Sequence, residues 1–186
     1  MEFEFHELEL EGAFLIHAFS MKDIRGGFAK YFEKDIYEKA GIAFQVNETF
    51  LSCSDRNVIR GLHFQTNKPQ AKLVFVVAGK AWDVIVDIRP ESKTFGRWSA
   101  QELSAENHMG FFVPRGFAHG FASMEDNTIM MYLCDGGYDK ESDTGILYND
   151  PAIGIEWPIE ENLAIHSERD LKLLSLEGYL KSPIKL

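Results

Sequence analysis

Polar and apolar residues alternate along most of this chain, and the repeat is two far more often than it is helical. Residues 2–19 set the pattern, with Phe3, Phe5, Leu8, Leu10, Phe14, Ile16 and Ala18 as the apolar members, which predicts strands. Asp23-Ile24-Arg25-Gly26-Gly27-Phe28 then reads as a turn, and Tyr31–Ala40 as a short helix stopped by Gly41. A strand-rich region opens over residues 43–54. It continues through Val58–Gln65, Lys72–Val77, Ala81–Ile88, Trp98–Leu103, Met109–Val113, Gly120–Ser123 and Thr128–Leu133. The glycine-containing step Ala78-Gly79-Lys80 predicts a hairpin between two of these strands. In the later one, Trp82, Val84, Val86 and Ile88 share one face, and Asp83 and Asp87 the other. No stretch between Phe44 and Leu133 has helical periodicity, so the fold class is all-β, a sandwich or barrel. Without a repeat or a Pro/Ser-rich linker, residues 1–186 read as a single domain, with short helices expected in the tail from Asn162 onward.

Composition narrows the partners more than the fold. The chain has 186 residues, enough for a well-buried core without metal or disulfide staples. Its 15 phenylalanines indicate an aromatic-rich core or an aromatic-lined cavity. The net charge of −10 argues against nucleic acid or an anionic membrane as partner, yet leaves room for a small anion held by clustered Arg and Lys. Cys53 and Cys134 lack metal-ligand spacing and read as buried free thiols in a reducing cytosol. The acidic start, without a basic, apolar leader, and the absence of a run of roughly 20 apolar residues point to a cytoplasmic protein.

Candidate chemistry centres on Arg60-Gly-Leu-His63-Phe-Gln65. Arg60 is a permanent cation with a fork of donors, and His63 is a proton acceptor near neutral pH. A second segment, Gly110-Phe-Phe-Val-Pro-Arg-Gly-Phe-Ala-His119, fits one of two short motifs of the cupins, small jelly-roll barrels: Pro114 and Gly116 turn the chain into a strand carrying an inward His. A metal cupin needs a His-x-His on the earlier strand. Here Gln65 stands in place of the second His, which leaves too few ligands, so no metal is expected.

Seven blocks in order carry a more specific resemblance. They are Arg60–Gln65, Lys72-Leu-Val, Asp83-Val-Ile-Val-Asp-Ile-Arg89, Ser92-Lys-Thr-Phe-Gly-Arg-Trp98, Leu103-Ser-Ala-Glu-Asn107, Pro114–Phe121 and Ile155-Glu-Trp-Pro158. Together they resemble the dTDP-4-dehydrorhamnose 3,5-epimerases over about residues 12–171. That resemblance implies a cupin-type jelly roll and a homodimer that uses no cofactor and acts on a nucleotide-linked 4-keto-6-deoxyhexose, on the route to dTDP-rhamnose. It further implies His63 as the base, Asp170 as the carboxylate that orients it, Tyr132 as the acid on the opposite face, and Lys72 at the enolate oxygen with Arg60 and His119 nearby. Arg25 and Phe28 match residues that reach the nucleotide from the partner subunit, and Gln45, Asn47 and Tyr138 are further candidates for nucleotide contacts.

Two departures bear on specificity. Lys30 stands where the family carries a carboxylate, which opens the identity of the nucleotide. The interval from Asn47 to Arg60 is longer than the family's, so the strand bearing Gln45 and Asn47 is expected to be shifted or bulged. Inversion at C3, at C5 or at both stays open at this level, as does the choice of oxyanion or pyrophosphate for Arg60. A non-catalytic nucleotide-sugar-binding cupin is the reading from another class.

Overall fold

A computed structural model describes residues 2–184, and its strands form two facing sheets and one separate ribbon. In chain order the strands are β1 (Glu4–Glu7), β2 (Phe14–His17), β3 (Phe19–Asp23), β4 (Gly26–Lys30), β5 (Glu48–Ser54), β6 (Ile59–Gln65) and β7 (Lys72–Ala78). They continue with β8 (Lys80–Asp87), β9 (Trp98–Ser104), β10 (Met109–Val113), β11 (Phe117–Ser123), β12 (Thr128–Cys134) and β13 (Asp143–Gly145). Helix α1 spans Lys34–Lys39 and α2 spans Leu176–Leu180, with a single 3-10 turn at Asp170–Lys172. One sheet has the order β1-β2-β10-β7-β12-β5, the other β13-β6-β11-β8-β9, and β3 and β4 pair only with each other. All pairings between these strands are antiparallel, and the arrangement is the cupin-type jelly roll.

Three apolar layers follow from this order. Val74, Val76, Ile85, Phe111, Phe121 and Met130 fill the space between the sheets. Outside the six-stranded sheet, Tyr37 of α1 packs with Ile16, Phe44, Leu73 and Phe75. Outside the five-stranded sheet, Ile146, Leu176, Tyr179 and Ile184 cover Val84, Val86 and Ile88. Both faces of β8 are therefore buried, the Val84 face under the C-terminal segment and the Asp83 face against the other sheet.

Several expectations from the sequence are corrected by the fold. β7 and β8 do not form a hairpin: β7 pairs with β10 and β12, and β8 with β9 and β11. Gly79, at φ +70°, turns the chain from one sheet into the other, and a Cβ there would meet Thr128 Oγ1 at 2.6 Å. The helix begins at Lys34 and not at Tyr31, because Tyr31 and Phe32 leave the helical path to pack on Phe75 and Tyr37 at ring distances of 4.9 and 5.0 Å. The glycine turn is shorter than read: Asp23 pairs with Gly26, so Gly26, Gly27 and Phe28 already belong to β4. The strand read from residue 43 starts at Glu48, and Gln45 and Asn47 precede it. Cys134 is buried, but Cys53 is exposed because it lies on β5, an edge strand. No helix among the described residues is long and apolar enough to cross a membrane.

Candidate active site

A bulge in β6 sets the geometry of the site. On a regular strand, residues three apart point to opposite faces. Here His63 pairs with His119 while Arg60 pairs with Phe121, so β6 spends one more residue than β11 over the same span. Gly61, at φ +130°, lies so close to Gly120 that a Cβ would stand 2.6 Å from its Cα. The extra residue turns the strand and directs both Arg60 and His63 into one cavity. That cavity has a volume of about 240 Å³ and opens between β6 and β11 on one side and β5, β7 and β12 on the other.

Two histidine–carboxylate pairs stand on the β6–β11 wall. His63 Nε2 is 2.8 Å from Asp170 Oδ1, and the other Asp170 oxygen accepts the Gly61 N–H at 3.3 Å. Asp170 reaches this position from the 3-10 turn, where its own N–H donates to Ser167 Oγ at 3.0 Å. Burial opposes ionisation of Asp170, but the hydrogen bond and charge of His63, with the Gly61 N–H and Ser167, hold its carboxyl below the usual range. The pair therefore persists down through mildly acidic pH and fails only as pH falls through that lowered value. His119 Nε2 lies 2.8 and 3.0 Å from the two oxygens of fully buried Asp83. Burial pushes the Asp83 carboxyl up, and His119 offsets this only in part.

Tyr132 projects from the opposite sheet. Phe50 stacks on its ring at 4.5 Å and 13°, and His119 meets it edge-on at 5.8 Å. Burial and the Asp83 carboxylate raise the phenol well above its ordinary value, so it stays protonated throughout the neutral range. Lys72, one strand away, makes no ion pair within 4 Å among the described residues. Burial lowers its pKa, while Cys134, Asp143 and Glu48 pull the other way. Arg60 spans the mouth from the other wall, donating to Ser54 Oγ at 3.0 Å and the Cys53 carbonyl at 3.2 Å.

The rim is held by a different set. Gln65 Nε2 donates to the Lys68 carbonyl at 2.8 Å, and its Oε1 accepts the Asp139 N–H at 2.7 Å. Glu48 accepts the Tyr138 N–H at 2.6 Å. Tyr138 is thus pinned from both sides, and its hydroxyl donates to Asp143, which also pairs with Arg169 at 2.8 Å. Gln65 secures a loop, and no three His, Cys, Asp or Glu side chains among the described residues converge to hold a metal ion.

The cavity brings together Arg60, His63, Lys72, His119, Tyr132 and Tyr138, with Asp170 behind His63. Arg25 and Phe28 lie elsewhere, on the exposed β3–β4 ribbon, where Asp23 binds the Arg25 guanidinium at 2.6 Å. Gln45 and Asn47 line a separate groove with Arg115 and Asp135. The cavity positions of that region belong to Glu48, Phe50 and Ser52, which the sequence did not single out, nor did it single out Asp143 and Arg169. Alternation was the available signal: once Glu48 opens the strand, residues 48, 50 and 52 share a face. Lys30, the residue of reversed charge, pairs with Glu33 at 2.6 Å.

Comparison with known proteins agrees with this architecture. The family model described as dTDP-4-dehydrorhamnose 3,5-epimerase matches residues 7–178. The chain belongs to that family. An epimerase of this name from Methanothermobacter thermautotrophicus is 44% identical over 171 residues, covering 91% of this chain and 92% of its own. The crystal structure of dTDP-6-deoxy-D-glucose-3,5-epimerase from Legionella pneumophila, in complex with dTDP-4-keto-L-rhamnose, superposes with a TM-score of 0.91 at 36% identity, covering 95% and 94% of the two chains. ChmJ, a 3'-monoepimerase from Streptomyces bikiniensis in complex with dTDP-quinovose, superposes at 0.87 with 32% identity over 95% and 89%. Membership of the dTDP-4-dehydrorhamnose 3,5-epimerase family makes the protein an isomerase of the carbohydrate-epimerase type.

Proposed function

We propose that this chain epimerises dTDP-4-dehydro-6-deoxy-D-glucose at C3 and C5 to dTDP-4-dehydro-L-rhamnose, with His63, Tyr132, Asp170 and Lys72 as the working residues. The C4 ketone acidifies the C–H bonds on either side of it. His63 removes one of those protons, and the electron pair moves to the carbonyl oxygen as an enolate. Asp170 fixes the imidazole and stabilises the imidazolium so formed. Lys72 neutralises the enolate oxygen, aided by Arg60 and His119. Tyr132 returns a proton to the opposite face of the carbon and inverts it.

The observation that carries this reading is the opposition of the His63–Asp170 pair and Tyr132 across one cavity. A binding module has no use for such a set. Incubation with the substrate in D₂O is expected to place deuterium at C3 and C5 of the product. The His63→Ala variant is expected to lose incorporation while still binding dTDP. Absence of deuterium from both carbons with wild-type protein would reject the epimerase reading. The likeness to a 3'-monoepimerase favours a second outcome, inversion at one carbon, and the same experiment reports it as deuterium at that carbon alone.

We further propose that residues 1–186 act as one domain in a cytoplasmic homodimer, each site completed by the partner's ribbon. The β3–β4 ribbon joins neither sheet, and it exposes Met21, Ile24 and Phe28 around Arg25. In that role Arg25 and Phe28 reach the nucleotide. Tyr138, on its pinned loop, is the contact from within the chain.

A further inference from the structure

Proton donation by Tyr132 leaves a charge that its surroundings do little to hold. Once the phenol has given up its proton it is a phenolate in a buried site, with the Asp83 carboxylate acting against it. Its ring is held by Phe50 and His119, but ring contacts do nothing for an oxyanion. Arg60 favours the ionised phenol from a distance, and its donors are partly engaged by Ser54 and Cys53.

Ser52 stands where a donor is needed. It follows Phe50 by two residues on β5, so both face the cavity, and Phe50 pairs directly with Tyr132 across the strands. Its Oγ is buried and has no hydrogen-bond partner, an uncommon state for a hydroxyl in a folded protein. It sits beside the phenol closely enough to favour its ionised form, yet makes no hydrogen bond to it. A neutral phenol can hold its own proton toward the cavity and leave Ser52 idle. A phenolate cannot. We propose that Ser52 is a positioning residue for the second half of the reaction, a role that rests on Tyr132 being the acid of the proposed epimerisation. Its hydroxyl swings to donate to the Tyr132 oxygen as the phenol O–H proton passes to the enolate carbon. The new C–H bond takes the enolate electron pair, the negative charge comes to rest on the phenol oxygen, and solvent restores the proton after the product leaves.

This role separates from a merely structural one because it acts after the first proton is lost. In D₂O, the enolate either receives deuterium from His63 on the original face, which labels recovered substrate, or is inverted by Tyr132. Ser52→Ala is expected to slow inversion about tenfold, the worth of one hydrogen bond to a charged group, and to raise labelled substrate relative to inverted product by a similar factor. Ser52→Thr keeps the hydroxyl and is expected to hold that ratio within about twofold of wild type. An unchanged ratio in Ser52→Ala, or a Ser52→Thr as defective as Ser52→Ala, would overturn the proposal. Failure of wild-type protein to exchange either proton would instead remove the epimerase reading beneath it, so the two failures are distinguishable.

Discussion

Lys72, proposed to hold the enolate oxygen, shows at the residue scale how a buried ammonium is kept at the expense of stability. Burial lowers its pKa, so the folded state binds its proton less firmly than the unfolded chain does. The cost is therefore fully present below that lowered pKa and is relieved as pH rises through it. Lys72→Met keeps the volume and removes the charge. It is expected to raise the melting temperature by about 2–4 °C at neutral pH while abolishing turnover, as followed by calorimetry and a coupled assay. The mechanism loses its support if activity survives that change. Motif likeness led directly to His63 and Lys72, which lie in two of the seven blocks, and to Asp170 and Tyr132 only through the family resemblance that those blocks carry. Ser52 and Asp143 carried no such likeness. Gln65 was legible only as a missing ligand, and what it does, tying the loop of Asp139, depends on a residue 74 positions away.

At the scale of the element, the bulge in β6 matters more than any side chain it carries. Gly61→Ala would place a methyl against Gly120 at a φ that L-residues rarely adopt. Its expected effect is a loss of about 3 kcal/mol or more in denaturant melts, with surviving protein unable to hold Arg60 and His63 in one cavity. Stability within about 0.5 kcal/mol of wild type would show that β6 can reach the same shape without its glycine. The pattern of polar and apolar residues found β7, β8, β11 and β12 well, since each buries at least one face. It failed at Gly79, where a two-strand pattern with a central glycine is written the same way for a hairpin and for a change of sheet. Only the partners of β7 and β8 distinguish them, and those lie far along the chain. Before β5 it failed for another reason: β5 is an edge strand whose outward residue Leu51 is exposed, so apolar character does not mark its inner face.

For the whole molecule, the proposed completion of each site by the partner's ribbon makes a complementation test possible. His63→Ala and Arg25→Ala homodimers are each expected to be nearly inactive. Mixing them through unfolding and refolding should restore about a quarter of wild-type activity, because half the dimers are mixed and each has one intact site. No recovery, with mixed dimers present by mass spectrometry, would return Arg25 to its own subunit or to no role. The cavity itself gathers Arg60 and Lys72, which make no ion pair among the described residues, beside the Arg169–Asp143 pair and Glu48, in a protein whose net charge is −10. For a nucleotide diphosphate arriving from solution the local and the overall charge act at different ranges. At about 10 mM salt the screening length is roughly 30 Å and the ligand feels the repulsive whole; at about 150 mM it is roughly 8 Å and the cavity's own charges, Arg60 and Lys72 foremost, decide. kcat/KM is thus expected to climb with added salt before it declines, the reverse of an electrostatically steered enzyme, and a steady fall from the lowest salt would refute this. On that account capture of the ligand is expected to be best near about 150 mM salt and worst in dilute buffer.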